Sequence, residues 1–271
     1  MFEKELSVAK EVAIEAGKIV LTYYGGDIEV ELKNKREPVT KADKASNEFI
    51  TGKLAELFPD DGILAEESKD DKSRMQQSRV WIVDPMDGTK EFIDKVGQFA
   101  VMVGLAVDGV PVLGVVYQPT TDMLLYAVKG QGAYSIIDGK EERAQVSGVD
   151  KTSQMRMVIS RSHRSHLVDS IKEDLGIEKE VASGSVGLKV GLLIQQKSDL
   201  YMHPNSKTKE WDTAAPQIIL EEAGGVITDC WGEPLKYNKA NVFNDRGFVA
   251  SNGVCHSEVL DKMERHLVDM D

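Results

Sequence analysis

In Arg79-Val80-Trp81-Ile82-Val83-Asp84-Pro85-Met86-Asp87-Gly88-Thr89-Lys90-Glu91-Phe92, the run Val80 to Val83 is apolar, β-branched and aromatic, and short enough for a buried strand. Pro85 with Gly88 predicts a tight turn at its end. Asp84 and Asp87 therefore sit at the C-terminal end of a strand. On so sharp a turn they can point the same way, and two such anions repel each other unless a cation or a shared proton lies between them. Hard divalent cations with oxygen ligands meet that need. Thr89 adds a hydroxyl, and the backbone N–H groups after Gly88 could open a helix whose positive end suits a phosphate. The alternative for an isolated Asp-x-x-Asp-Gly is a turn whose aspartates only cap backbone donors. The residues around it decide between the two.

At 271 residues and 41% apolar composition, the chain can bury one large core or two smaller ones that share an interface, and a two-lobed enzyme is expected. Lys and Arg number 33 against 45 Asp and Glu, and the net charge of −12 repels nucleic acid polymers and anionic membranes alike. An anionic substrate would need local cations. Cys230 and Cys255 lack metal-ligand spacing, which predicts a reducing compartment and no disulfide framework. The N-terminus lacks the basic and apolar regions of a signal peptide, and no apolar run approaches the roughly 18 residues of a membrane span. A soluble, cytoplasmic protein acting on a small molecule is expected, with no membrane and no obligate protein partner.

Phe2, Leu6, Ala9, Ala13, Ala16 and Val20 recur at helical spacing, so a helix is predicted over 2–24, stopped by Gly25-Gly26. Residues 28–38 read as a short strand and a charged loop carrying Lys33, Lys35 and Arg36. Thr40 to Asp43 opens a second helix that Phe58-Pro59 closes. Ile63-Leu64-Ala65 is a strand leading into a second acidic pair, Glu66-Glu67, and the polar residues 69–78 read as a mobile loop. From Phe99 to Tyr134 short connections predict an antiparallel meander. Past about residue 150 strands alternate with helices predicted at 165–175, 185–196, 213–223 and 256–268, which places a lobe boundary near 148–152.

Three further segments carry chemistry. Asp212, in Glu210-Trp211-Asp212-Thr213-Ala214-Ala215-Pro216, is expected just before a helix, as a ligand or a plain N-cap. Ser183-Gly184-Ser185-Val186-Gly187-Leu188-Lys189 resembles a glycine-loosened helix N-terminus with a lysine one turn in, a workable phosphate cradle. Ser160-Arg161-Ser162-His163 follows a strand, where loops tend to carry function. Asp43 has two open readings, a capping-box partner of Thr40 or a catalytic carboxylate.

Thr40-x-x-Asp43, Glu66-Glu67, Asp84-Pro85-Met86-Asp87-Gly88-Thr89 and Trp211-Asp212-x-Ala-Ala, in this order, resemble the lithium-sensitive, magnesium-dependent phosphatase superfamily that includes the inositol monophosphatases. Lys90-Glu91-Phe92, Ser160 to His163 and Gly184-Ser185-x-Gly-Leu-Lys189 look like its 3′(2′),5′-bisphosphate nucleotidase branch. The segment Tyr201 to Lys207 departs from any single pattern.

The resemblance implies a layered α-β-α-β-α sandwich, with an α+β lobe over 1–150, an α/β lobe over 151–271 and the active site between them. It implies two to three Mg²⁺ ions: one held by Glu66, Asp84 and the Met86 carbonyl, a second by Asp84, Asp87 and Asp212, and a weaker third sharing Glu66. Thr89 and Asp43 would orient and deprotonate the attacking water, with Glu67 acting on that water or supporting Glu66. Gly88, Thr89, Ser160, His163, Gly184, Ser185, Lys189 and Asp212 would contact the substrate, with Lys189 serving a second phosphate. The implied reaction is hydrolysis of adenosine 3′,5′-bisphosphate, or its sulfated relative, with an inositol monophosphatase or fructose-1,6-bisphosphatase as the nearest alternative and a non-catalytic metal or nucleotide sensor as a different class.

Overall fold

Residues 2–26, 28–33, 37–162 and 164–267 are described by a computed structural model. Helix α1 (Glu3–Tyr24) buries Ala9, Val12, Ala13, Ala16 and Val20 along one stripe, as its apolar spacing requires. A two-stranded antiparallel hairpin, β1 (Val30–Lys33) and β2 (Glu37–Thr40), connects it to α2 (Lys41–Leu57). Seven strands then form one sheet in chain order, β3 (Gly62–Ala65), β4 (Arg79–Asp87), β5 (Ala100–Val107), β6 (Val110–Gln118), β7 (Met123–Val128), β8 (Gly132–Ile137) and β9 (Lys140–Ala144), with the short helix α3 (Thr89–Ile93) between β4 and β5. Only β3 and β4 run parallel; the expected antiparallel meander follows.

The second half continues as β10 (Arg156–Ser160), α4 (His166–Asp174), β11 (Lys179–Ser183), α5 (Val186–Ile194), β12 (Leu200–His203), α6 (Glu210–Glu222), β13 (Val226–Thr228), β14 (Phe248–Ser251) and α7 (His256–Leu267). Its five strands order as β11-β10-β12-β14-β13, with β10 parallel to both neighbours and β14 antiparallel to both of its own. No helix among the described residues is long and apolar enough to cross a membrane.

Three cores define the layers. α1 and α2 cover the outer face of the large sheet through residues such as Ala13, Ile50, Leu54, Trp81 and Leu113. α5 and α6 lie between the sheets, where Leu193, Ile218 and Ile219 meet Met102 and Leu125 on one side and Val158 and Ala250 on the other. α4 and α7 cover the far face with Ile171, Val259 and Met263 against Met157 and Val249. The result is the α-β-α-β-α sandwich. α6 lies so close to the large sheet that a Cβ on Gly114 would stand 2.5 Å from the Ala215 carbonyl oxygen, and one on Gly104 would stand 3.1 Å from the Ala215 nitrogen. Only glycine on the strands and alanine on the helix permit that approach.

Several expectations change. β4 does not turn away at Pro85 but continues to Asp87. β9 and β11 were not anticipated, because both are edge strands whose exposed charged residues hide the alternation of a half-buried strand. The segment 69–78 is not a free loop: it holds a 3₁₀ turn, Ser73–Gln76, whose Arg74 is 2% exposed. Arg74 donates to Asp70, to Asn238 Oδ1 at 2.6 Å and to the Lys239 carbonyl at 2.9 Å. Lys35 and Arg36 of the expected charged loop lie outside the described residues.

Candidate metal centre and active site

β4 carries Asp84 and Asp87 three residues apart, a spacing that puts side chains on opposite faces of a regular strand. The ladder is not regular there: Asp84 pairs with Met102 and Asp87 with Ala100, so three steps along β4 match two along β5. One extra residue shifts the side-chain alternation by one and brings both carboxylates to the same side. Pro85, which has no N–H to give a ladder, fits such an irregularity. Its carbonyl accepts from Ser46 Oγ at 2.8 Å, and the Met86 N–H donates to Asp84 Oδ1 at 3.0 Å. Gly88 then adopts φ 102°, and a Cβ there would lie 2.9 Å from the Gln98 carbonyl oxygen, so the exit from the motif requires glycine.

Asp212 comes from α6, inside its first turn and not ahead of it, because the helix begins at Glu210. Asp212 Oδ2 accepts from the Lys209 N–H at 2.6 Å, satisfying an orphan donor of that turn. Glu210, fully buried, holds the Asn238 and Lys239 N–H groups at 2.6 and 2.9 Å. These partners start the helix three residues before the predicted 213, and they leave Pro216 in its interior. Asp212 is therefore not the N-cap, which is Lys209: it caps that residue's N–H from the third helical position while standing in the acidic cluster.

Asp84, Asp87 and Asp212 each offer an oxygen within 4.8 Å of the others. Burial is the main reason the Asp84 and Asp212 carboxyls are pushed well above the usual carboxylate range, and the surrounding charges, Glu66 among them, add to it. Asp87 is raised too, chiefly by burial, against the opposing pull of Lys189, the Ser185 hydroxyl and the Gly187 N–H. Three ionised groups in so little solvent are unfavourable until a cation joins them. An all-oxygen donor set suits a hard divalent ion such as Mg²⁺, so the residues fit the metal that the motifs imply.

Glu66 and Glu67 follow β3. Lys33, at the end of β1, donates to Glu66 Oε1 at 3.1 Å and also to Glu67. Burial pushes the Glu67 carboxyl up to about 7, even with Lys33 pulling the other way. Burial alone would lower the Lys33 ammonium, but the two glutamates outweigh it and hold it above its ordinary range. In the sequence Lys33 shows only as a charge within residues 28–38; its place at the acidic pair is a tertiary fact.

Asp43, 2% exposed, makes the capping box and also reaches Thr89. Its Oδ2 accepts from the Thr40 N–H and hydroxyl, both at 2.7 Å, closing the capping box of α2. Its Oδ1 accepts from Thr89 Oγ1 at 3.0 Å. Burial raises its pKa against these bonds.

The expected phosphate cradle before α5 is filled by protein groups. Ser185 Oγ donates to Asp87 Oδ2 at 2.6 Å, the Gly187 N–H donates to the same oxygen at 3.1 Å, and the Gly184 N–H donates to Gln98 Oε1 at 2.9 Å. The helix N-terminus therefore receives the Asp87 carboxylate as its anion. Lys189 is neither a solvated helix residue nor open to a separate second phosphate. It is 3% exposed, with its ammonium 5.0 Å from the Tyr201 ring centroid and under the charges of Asp87, Glu91 and Asp212. Ser160 ends β10 and lines a small cavity with Arg164, Met202 and His203. His163 lies outside the described residues. Lys33, Ser46 and Glu210 escaped the sequence reading, since each acquires its role from a partner distant in the chain.

The sequence profile of the inositol monophosphatase family matches residues 1–267. The chain is 36% identical over 242 residues to the 3′(2′),5′-bisphosphate nucleotidase CysQ of Aggregatibacter actinomycetemcomitans, covering 88% of this chain and 89% of that one. It is 33% identical over 264 residues to the histidinol-phosphatase of Chlorobaculum parvum, covering 92% of each. Among solved structures, CysQ from Bacteroides thetaiotaomicron superposes with a TM-score of 0.80 at 32% identity, covering 92% of this chain and 97% of the other.

Proposed function

The chain belongs to the inositol monophosphatase family, and on that premise we propose that it is a metal-dependent phosphatase converting adenosine 3′,5′-bisphosphate, or its 5′-phosphosulfate relative, to the nucleoside 5′-phosphate or 5′-phosphosulfate and inorganic phosphate. The observation that carries the chemistry is the convergence of Asp84, Asp87 and Asp212 within 4.8 Å. The choice of a nucleotide rests on the similarity to bisphosphate nucleotidases across most of both chains. In this reading residues 1–150 and 151–271 act as two lobes, the first contributing Glu66, Asp84 and Asp87 and the second Asp212. The enzyme would work in the cytoplasm, without a membrane or nucleic acid partner.

Glu66, Asp84 and the Met86 carbonyl would hold one Mg²⁺, and Asp84, Asp87 and Asp212 a second, with Glu66 available to a third once it is released from Lys33. Bound there, the ions would neutralise the phosphoryl charge and acidify water. The remaining work falls to the chain. Thr89 Oγ1, bonded to Asp43, orients the attacking water, and Asp43 takes the proton that the hydroxyl passes on. The raised pKa of Asp43 suits it to hold that proton. Glu67 steadies Glu66 through their common partner Lys33. Lys189, buried between Asp87 and Tyr201, offsets the anionic cluster and adds positive charge beneath the reacting phosphate. Gly88, Ser160, Gly184 and Ser185 shape the surface on which the substrate lies.

Phosphate release should be measured with Mg²⁺ on adenosine 3′,5′-bisphosphate, myo-inositol 1-phosphate, fructose 1,6-bisphosphate and histidinol phosphate. The bisphosphate nucleotide is expected to give the highest kcat/KM. A higher value on any of the other three would overturn the nucleotidase assignment while leaving the metal phosphatase intact.

A further inference from the structure

Glu91 is a buried carboxylate that the reaction outlined above does not use. It is 5% exposed and sits on α3, two residues after Thr89. Its Oε1 accepts from Ser162 Oγ at 2.6 Å, a bond that spans 71 residues and joins the helix following the metal motif to the loop after β10. A second clasp lies beside it: Gln98 Oε1 accepts from Arg161 Nε at 2.9 Å and from the Gly184 N–H at 2.9 Å. Gly184 fits only because it has no side chain, since a Cβ would stand 2.5 Å from both the Gln98 carbonyl oxygen and Glu91 Cγ. The loop after β10 and the start of α5 therefore both hang on side chains from the short segment 91–98.

A buried carboxylate is costly unless its bonds repay the lost hydration. Glu91 is accordingly a fixed point, and what it fixes is the loop at the end of β10 relative to α3, whose first residue, Thr89, bonds Asp43. We infer that Glu91 is a positioning residue: through Ser162 it sets the register of the 160–162 segment against the reacting phosphate, and so governs how well the organic part of the substrate is held. The inference rests on the nucleotidase reading for the identity of that organic part, and on the Glu91–Ser162 bond for everything else.

The test is a double-mutant cycle, with KM and kcat measured separately on adenosine 3′,5′-bisphosphate and on p-nitrophenyl phosphate, which has little to hold beyond its phosphate. Glu91→Ala and Ser162→Ala should each raise KM for the nucleotide about tenfold, with kcat held within about twofold. The double variant should be no worse than either single one, because both remove the same bond. Glu91→Gln should stay within about threefold of the unmodified enzyme, since its amide oxygen can still accept from Ser162. KM for p-nitrophenyl phosphate should not move. Additive losses, equal losses on both substrates, or a Glu91→Gln enzyme as impaired as Glu91→Ala would overturn the inference. If Glu91→Ala fails to fold, an unchanged nucleotide KM in Ser162→Ala overturns it alone. Should the unmodified enzyme prefer myo-inositol 1-phosphate, the nucleotidase reading fails, and the same cycle on that substrate still decides the role of Glu91.

Discussion

Asp43 accepts from the Thr89 hydroxyl, 3.0 Å away, with one carboxylate oxygen, while its other oxygen accepts from Thr40 and closes the capping box of α2. A helix cap and a proposed catalytic contact are thus made by opposite sides of one carboxylate, and substitutions can separate them. Thr89→Val removes only the hydroxyl, and kcat should fall by about 10²-fold or more while the melting temperature holds. Asp43→Ala loses both sets of bonds and should add a stability loss of about 1 kcal/mol to the same rate defect. Normal turnover in Thr89→Val would remove the pair from the mechanism.

Asp84 is held above its ordinary pKa first by burial and then by the charges of Glu66, Asp87 and Asp212. Its ionised form is therefore a liability in the chelated protein. Asp84→Asn should abolish Mg²⁺-dependent phosphate release, yet in excess chelator it should unfold at a denaturant midpoint equal to or above that of the unmodified protein. A lower midpoint would indicate that the charge-assisted bond from the Met86 N–H, stronger than the one an amide oxygen can accept, outweighs the repulsion.

His256 is bonded at both ring nitrogens, Nδ1 to Ser251 Oγ at 2.8 Å and Nε2 to Thr228 Oγ1 at 2.9 Å, and burial lowers its pKa from 6.5. A depressed pKa means that the unfolded chain binds the proton more readily, so the stability supplied by neutral His256 is present above about pH 6.5 and is lost as pH falls through the folded value. Comparing denaturant midpoints of the unmodified protein and His256→Gln between about pH 5 and 8 isolates this contribution. The difference should favour the histidine most at the alkaline end and shrink on acidification. A pH-independent difference would show that the ring acts by packing alone.

Arg74 ties the 69–78 segment to residues 238–239 from a site that is 2% exposed. Arg74→Ala leaves Asp70 to Lys72 alone and strips the Asn238 Oδ1 and Lys239 carbonyl of their donor, and should cost about 2 kcal/mol, the scale for part-buried acceptors left unsatisfied. Backbone amide exchange should accelerate together in both segments. Acceleration in only one would mean that the other is held by contacts of its own.

The periodic elements were legible because a repeated apolar spacing states which face is buried: Ala9, Ala13, Ala16 and Val20 define α1 without help from any neighbour. The acidic ligands were legible as residue types near strand ends. That Asp84 and Asp87 can face one way was legible from the turn residues, and Asp212 beside them from the resemblance, but the device was not: the irregularity that turns the two β4 carboxylates to one side is set by pairing with β5. Lys33 was opaque for a similar reason, its glutamate partners lying 33 and 34 residues away. The start of α6 was misplaced because Glu210 owes its position to N–H groups nearly 30 residues further on. Lys189 shows the limit most clearly: helical spacing correctly put it one turn into α5, but only packing against Tyr201 and Asp87 turned it inward.

The glycine–alanine contact between α6 and the large sheet leaves no clearance for α6 to settle, since even one methyl group on Gly114 would press on the Ala215 backbone. Asp212 rides on that same helix, three residues before Ala215. The separation between Asp212 and the β4 aspartates is accordingly gauged by backbone touching backbone, a stop far stiffer than any side chain. Such a gauge cannot be retuned a little at a time: a bulkier residue at the contact would prise the helix carboxylate of Asp212 away from the two on β4, and heat would release both together. Loss of cation affinity and loss of the fold should then be a single melting event.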